Sequence, residues 1–98
     1  MAAYAVFLRE ETLDQSELDA YAASITPVFE RFSPTVLAAY GVQEVVEGGA
    51  VEGVVLVRFP TFALASAWYH SPEYQAVVGH RHKGGRYRGI IFDGVDGE

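Results

Sequence analysis

The spacing of apolar residues changes along this chain, and each change predicts a different element. Ala3 to Leu8 is a short apolar run with β-branched and aromatic members, so it predicts a strand. From Asp14, a candidate helix cap, apolar residues recur every three or four positions and predict one buried helical face. Pro27 predicts a kink in this helix, and Ser33–Pro34 predicts its end. The residues of that face are Leu18, Tyr21, Ala22, Ile25, Val28, Phe29 and Phe32.

The middle of the chain returns to a β pattern. Thr35 to Glu47 reads as one strand that is bent or bulged at Gly41. A turn at Gly48–Gly49 then leads to Val54 to Phe59, a nearly continuous apolar run that predicts another strand. Pro60 ends that run, because proline cannot donate to a sheet ladder.

The last third of the chain contains residues that start helices and glycines that end them. Thr61 and Ser71–Pro72 are start signals, so they predict two consecutive short helices. Gly79 predicts the end of the second helix, and the basic, glycine-containing segment from His80 to Tyr87 predicts a loop. Arg88 to Asp93 then predicts the final strand.

The resulting order is βαββαβ over a single domain, residues 1–98. Short connections in this order predict an α+β, ferredoxin-like fold, with a four-stranded antiparallel sheet and the helices on one face. The two predicted central strands, Ala3 to Leu8 and Val54 to Phe59, are apolar at consecutive positions, so both their faces need burial. A second copy of the sheet is the simplest cover for the open face, which predicts a homodimer that packs sheet against sheet.

Composition narrows the function classes. A formal net charge of -6 and a pI near 4.9 argue against a nucleic-acid partner, because phosphate contacts need a basic face. No apolar run approaches the roughly 20 residues that cross a bilayer, so we expect no membrane partner and a cytoplasmic protein. The chain contains no cysteine, which excludes disulfides, thiolate catalysis and zinc–cysteine sites.

Basic residues gather near His80, Arg81 and His82, and two interpretations of this segment stay open. One is a solvated loop whose charges are balanced by acidic neighbours, and the other is an anion subsite, because arginine offers a bidentate donor fork. The three residues are also the candidate catalytic group, with an imidazole as general base and Arg81 stabilising an enolate or phenolate. Two histidines without a third ligand fixed by spacing do not predict a metal site, and no cofactor is indicated.

The aromatic residues Trp68, Tyr69 and Tyr74, together with Arg81, are the candidate ligand-binding residues. Trp68 and Tyr69 follow Phe62 and Ala65 at helical spacing, so packing in the core is the alternative interpretation. A cleft between helices and sheet with apolar walls and a basic rim would suit a small aromatic or acyl carboxylate.

The block Ala67–Gln75, the preceding Phe59–Pro60, Glu47–Gly48, Arg81 and the terminal Ile90–Val95 resemble the uncharacterised bacterial family called domain of unknown function 1330. This resemblance covers nearly the whole chain and implies a dimeric α/β barrel. Its wider superfamily implies cofactor-independent monooxygenases, isomerases and polyketide cyclases, and also haem enzymes. Two functions therefore stay open: a non-catalytic small-molecule-binding dimer, and a cofactor-independent enzyme acting on an aromatic or polyketide-like substrate.

Overall fold

A computed structural model describes residues 1–95 as one antiparallel sheet with helices packed on it. The strands are β1 (Ala3–Thr12), β2 (Thr35–Ala39), β3 (Gly53–Phe59) and β4 (Gly85–Asp93). The helices are α1 (Gln15–Glu30), α2 (Phe62–His70) and α3 (Pro72–Gly84). The four strands lie in the order β2-β3-β1-β4, so β1 and β3 are central. This confirms the ferredoxin-like prediction, with the second helical position divided between α2 and α3.

Burial alternates along β1, which defines the two faces of the sheet. Ala3, Ala5 and Phe7 are buried, whereas Tyr4 and Val6 between them are only partly buried. The buried residues face the helices, where the ring of Trp68 occupies the centre of the core at 0% exposure. The core comprises Ala5, Phe7, Val28, Val57, Phe59, Ala65, Trp68, Tyr74 and Val78.

The predicted helix caps are confirmed. The carboxylate of Asp14 accepts a hydrogen bond from the Ser16 amide at 3.0 Å, and the hydroxyl of Thr61 accepts one from the Leu64 amide at 3.1 Å. The hydroxyl of Ser71 accepts one from the Tyr74 amide at 3.1 Å, with proline in the first turn of α3. These caps satisfy amides that have no partner inside the helix. Pro27 lies inside α1, which continues past it to Glu30, and the predicted kink stays a prediction.

The predicted strand beyond Gly41 is wrong. β2 ends at Ala39, and Tyr40 has a positive φ of 58°, which turns the chain out of the sheet. β3 begins only at Gly53, so residues 42–47 have no strand with which to pair. A β-prone sequence forms a strand only where a neighbouring strand accepts its hydrogen bonds.

The predicted loop from His80 to Tyr87 is also wrong. α3 continues through Gly79 to Gly84, and β4 begins at Gly85. An internal glycine costs a helix only about 1 kcal/mol. Burial of Tyr74, Val78 and Arg81 on one face of α3 offsets that cost. His80, Arg81, His82 and Lys83 are therefore fixed on a packed helix, whereas Arg86 lies on β4.

The other face of the sheet carries apolar side chains that no element of the described chain covers completely. In the ladder, Val6 of β1 lies between Leu56 of β3 and Ile90 of β4. Ile90 is 50% exposed, and Val6 and Leu56 are only partly buried. Within residues 1–95, no helix has the length and apolarity needed to cross a bilayer.

Candidate functional site

Two cavities lie beside the helix-covered face of the sheet in the described part of the chain, and they meet at one arginine. The α1–sheet cavity, about 440 Å³, is lined by apolar side chains of α1 such as Leu18 and Ile25 and by Val55 and Val57 of β3. The α2–α3 cavity, about 390 Å³, lies between those two helices and β4. Phe7, Arg81 and Tyr87 line both cavities.

Arg81 is buried, with 5% of its surface exposed. Its guanidinium carbon lies 4.7 Å from the ring centres of both Phe7 and Tyr87. Its Nε and Nη1 atoms have no hydrogen-bond partner, and no ion pair in residues 1–95 includes it. The described chain thus contains a buried cation that is held between two aromatic rings and lacks an acceptor at two of its nitrogens.

The two candidate histidines beside Arg81 point to different places, because they lie on a helix, where neighbours two positions apart are turned by about 200°. His80 Nδ1 is 2.7 Å from a carboxylate oxygen of Glu17 on α1, and His80 lines neither cavity. His82 lines the α2–α3 cavity together with Arg81. Burial and the neighbouring charge of Arg81 lower the pKa of His82. Of these two histidines, His82 therefore shares a cavity with the arginine.

The three candidate aromatic residues take three different positions. Trp68 lines the α1–sheet cavity and packs on the core rings, with its Nε1 atom buried and without a partner. Tyr69 lines the α2–α3 cavity. Tyr74 is fully buried, and its hydroxyl lies 2.8 Å from that of Tyr21, which lines the α1–sheet cavity. Burial raises the pKa of both tyrosines, although Arg81 opposes the shift, so both phenols stay neutral.

A second pair of tyrosines was not predicted from the sequence. Tyr40 follows β2, and its hydroxyl lies 2.9 Å from that of Tyr87 on β4. Gly53 leaves room for the Tyr40 ring, which an added Cβ would meet. The guanidinium of Arg9 lies 4.6 Å from the centre of the same ring. Burial and the bond to Tyr87 raise the pKa of Tyr40.

The sequence contains little that indicates the pairing of Tyr40 with Tyr87. Tyr87 fell in a predicted loop, and the positive φ of Tyr40 has no marker in the sequence other than the following Gly41. Tyr21 carried a better signal, since a tyrosine on an apolar helical face needs a hydroxyl partner.

The described residues contain no group of three side chains that could hold a metal ion. The donors around Arg81 are phenols, imidazoles and the guanidinium itself. Such a set suits hydrogen bonding to an anionic or carbonyl oxygen rather than coordination of a cation.

The sheet order and the helix placement define a ferredoxin-like domain of the kind found in dimeric α/β barrel proteins. The chain belongs to the family described as domain of unknown function (DUF1330), whose model matches residues 2–95. This confirms the resemblance noted in the sequence. No curated protein matches the sequence.

Solved structures with the same fold have little sequence identity to this chain. A protein of unknown function from Rhodopseudomonas palustris has a TM-score of 0.76 at 18% identity, covering 97% of this chain and 83% of its own. The cofactor-independent oxygenase SnoaB from Streptomyces nogalater has a TM-score of 0.66 at 9% identity, covering 97% and 94%. A dimeric protein of unknown function from Bacteroides fragilis has a TM-score of 0.61 at 9% identity, covering 95% and 96%. At these identities the comparison establishes the fold.

Proposed function

We propose that this protein binds a small organic carboxylate, aromatic or acyl, in the α1–sheet cavity, with the carboxylate on Arg81. The observation that carries the proposal is the guanidinium of Arg81, which is buried beside the cavity with Nε and Nη1 unpartnered. The ligand would supply an acceptor for one of these two nitrogens.

The energetics favour an anionic ligand at this position. Burying an unpaired cation costs several kcal/mol, because the protein replaces only part of its hydration. Each of the two aromatic rings offsets roughly 0.5 to 2 kcal/mol of this cost through its contact with the cation. The rings do not accept hydrogen bonds from the N–H groups in the guanidinium plane. A carboxylate compensates the charge and accepts a charge-assisted bond from one of the unpartnered nitrogens, since Nε and Nη1 point away from different edges of the guanidinium plane.

The other residues that line the cavity indicate which chemical group the rest of the ligand carries. Most of its lining side chains are aliphatic or aromatic, with Arg9, Gln15 and Asp19 as further polar members, and its volume of about 440 Å³ lies in the range of small-molecule sites. Such walls favour an aromatic ring or a short acyl chain, which gains free energy through burial of apolar surface. Trp68 and Tyr21 line this cavity, and Tyr74 supports the latter through its hydroxyl.

We further propose that the working unit is a homodimer formed through the open face of the sheet. Val6, Leu56 and Ile90 make an apolar patch on that face. The neighbour from Bacteroides fragilis is described as dimeric. A sheet packed on this patch would remove its apolar surface from water.

A second candidate function is a cofactor-independent enzyme, such as a monooxygenase, isomerase or cyclase. The observation that favours it is the presence of His82 and Arg81 in one cavity. The lowered pKa of His82 favours the neutral imidazole, which can accept a proton, while Arg81 would stabilise the resulting anion. The fold of SnoaB, which is described as a cofactor-independent oxygenase, is compatible with this alternative.

Calorimetry with matched acids and amides tests the binding proposal. Benzoate and octanoate should bind the wild-type protein, whereas benzamide and octanamide should bind at least about tenfold more weakly, because each charge-assisted bond contributes roughly 1.5 to 3 kcal/mol. Arg81→Met should remove the preference for the acids, and Arg81→Lys should retain only part of it. Lys83→Gln, an exposed charge change on the same helix, is the matched control and should bind like the wild type.

Equal binding of acid and amide by the wild-type protein would contradict the proposal, and so would unchanged acid binding by Arg81→Met. Turnover of a substrate that is lost in His82→Gln but retained in His80→Gln would favour the enzyme instead.

A further inference from the structure

The α2–α3 cavity differs from the α1–sheet cavity in its charge. Its titratable lining residues are Tyr69 and His70 of α2, Arg81 and His82 of α3, and Tyr87 of β4. No aspartate or glutamate lines it, whereas Asp19 lines the α1–sheet cavity. The α2–α3 cavity therefore has hydrogen-bond donors and the guanidinium of Arg81 without a competing carboxylate.

Hydrogen-bond donors reach this cavity from two helices. Ser66 and His70 lie on α2, and Arg81 and His82 lie on α3. A neutral imidazole still donates one N–H, so His82 can donate at neutral pH. Arg81 is the buried member, with Nε and Nη1 unpartnered. Donors that converge from different elements suit an anion with several acceptor oxygens in different directions, which is a tetrahedral oxyanion.

We propose that the α2–α3 cavity is a second site that binds a phosphate group, as inorganic phosphate or as a small phosphate monoester. Arg81 lines both cavities, so a phosphate bound to it compensates the same charge that would attract a carboxylate in the α1–sheet cavity. The two ligands compete through one side chain although their other contacts differ. The competition rests on the proposed function, but the phosphate site itself does not.

The two sources of phosphate differ in what surrounds the anion. The cavity is also lined by Phe62, Tyr69 and Ile91, which would cover an apolar organic group. Inorganic phosphate has no such group and would use the polar donors alone. A phenyl ester that binds more tightly than inorganic phosphate would identify a monoester as the ligand class, and equal affinities would identify the free anion.

Amide-detected NMR titrations test this site, with inorganic phosphate and phenyl phosphate as probes at pH 7. Sodium chloride at matched ionic strength is the control for general screening. Phosphate should shift the amide resonances of Ser66, Arg81 and His82, and His82→Gln should weaken its binding about tenfold. His80→Gln, on the same helix but outside the cavity, should leave phosphate binding unchanged. Chloride shifts equal to those of phosphate, or equal binding by both variants, would overturn the proposal.

Competition experiments, together with variants that fill one cavity at a time, distinguish the two sites. Phosphate should weaken benzoate binding to the wild-type protein, and this effect should disappear in Ser66→Leu, which narrows only the α2–α3 cavity. Ala22→Phe narrows only the α1–sheet cavity, so it should weaken benzoate and spare phosphate. Phosphate binding without benzoate binding would support this site while the proposed function fails. Simultaneous binding with no mutual effect would overturn the shared role of Arg81.

Discussion

Arg81 is the residue on which the proposed binding site depends, and its burial follows from its position on α3. Tyr74, Val78 and Arg81 are spaced four and three residues apart, so they share the face that packs into the core. This helical spacing is present in the sequence. It did not predict a helix here, because Gly79 and the basic residues that follow it are typical of a loop. A long arginine stem can enter a core when rings cover its head group, as Phe7 and Tyr87 do here.

The stability of Arg81→Met distinguishes an unpaired cation from an ion pair. With no acidic partner to orphan, replacement by an apolar side chain should leave the free energy of unfolding unchanged or raise it by about 1 to 4 kcal/mol. Urea unfolding of protein refolded without ligand measures this, with the exposed Lys83→Met as the control, expected within about 0.5 kcal/mol of wild type. A loss of roughly 3 to 5 kcal/mol would show that Arg81 has a buried acidic partner, such as one from a second subunit.

At the scale of the element, the junction of α1 and α3 fixes the position of the basic residues. The amides of Leu13 and Asp14 both donate to the carbonyl of Gly84, at 2.8 and 3.0 Å. An added Cβ at Gly84 would lie 2.6 Å from Leu18 Cδ2 and 2.9 Å from its backbone nitrogen. The close approach of the two helices therefore requires a glycine at this position. The contact between Gly84 and Leu18 lies beyond Gly79, where the sequence alone predicts that α3 ends.

Replacement of the two glycines of α3 by alanine should change the free energy of unfolding in opposite directions. Gly84→Ala should lower the free energy of unfolding by about 1 to 3 kcal/mol, because the new methyl group overlaps Leu18. Gly79→Ala adds a methyl group in open space inside the helix and should raise it by roughly 0.5 to 1 kcal/mol. Chemical denaturation of both variants measures the difference. A destabilised Gly79→Ala would contradict a continuous helix through this position.

At the scale of the whole molecule, the sheet is covered by helices on one side and carries apolar residues on the other. The register places Val54 and Leu56 on the open face, and Val55 and Val57 on the helix face. The nearly continuous apolar run of β3 thus supplies both faces, as the sequence predicted for a strand with two buried sides. The homodimer through this face stays a prediction.

A charge on the open face tests that assembly. Leu56→Glu should dissociate the dimer or make the protein aggregate, because a buried unpaired carboxylate at the interface costs several kcal/mol. Light scattering at several protein concentrations measures the mass. Val46→Glu, on an exposed segment outside the strands, is the control and should leave the mass unchanged. A monomeric wild-type protein would contradict the proposed assembly.

The sequence predicted the architecture better than the site. Element order, central strands and caps follow from local patterns, because each depends on residues close in the chain. The pairing of Tyr40 with Tyr87 and of Tyr21 with Tyr74 joins residues 47 and 53 positions apart. Such contacts are set by the packing of α1 and α3 on the sheet, which periodicity does not describe. Arg81 was named from its side chain, but its burial between two rings depends on that same packing.

A crystal structure of the wild-type protein with benzoate is the most direct test of the proposed carboxylate site. We expect the ring between α1 and the sheet, near Ile25 and Val55. We also expect a carboxylate oxygen within hydrogen-bond distance of Nε or Nη1 of Arg81, the two nitrogens that have no partner in the described chain. A ligand whose carboxylate points to solvent would contradict the proposed site. So would an Arg81 that is paired with a protein carboxylate in the crystal.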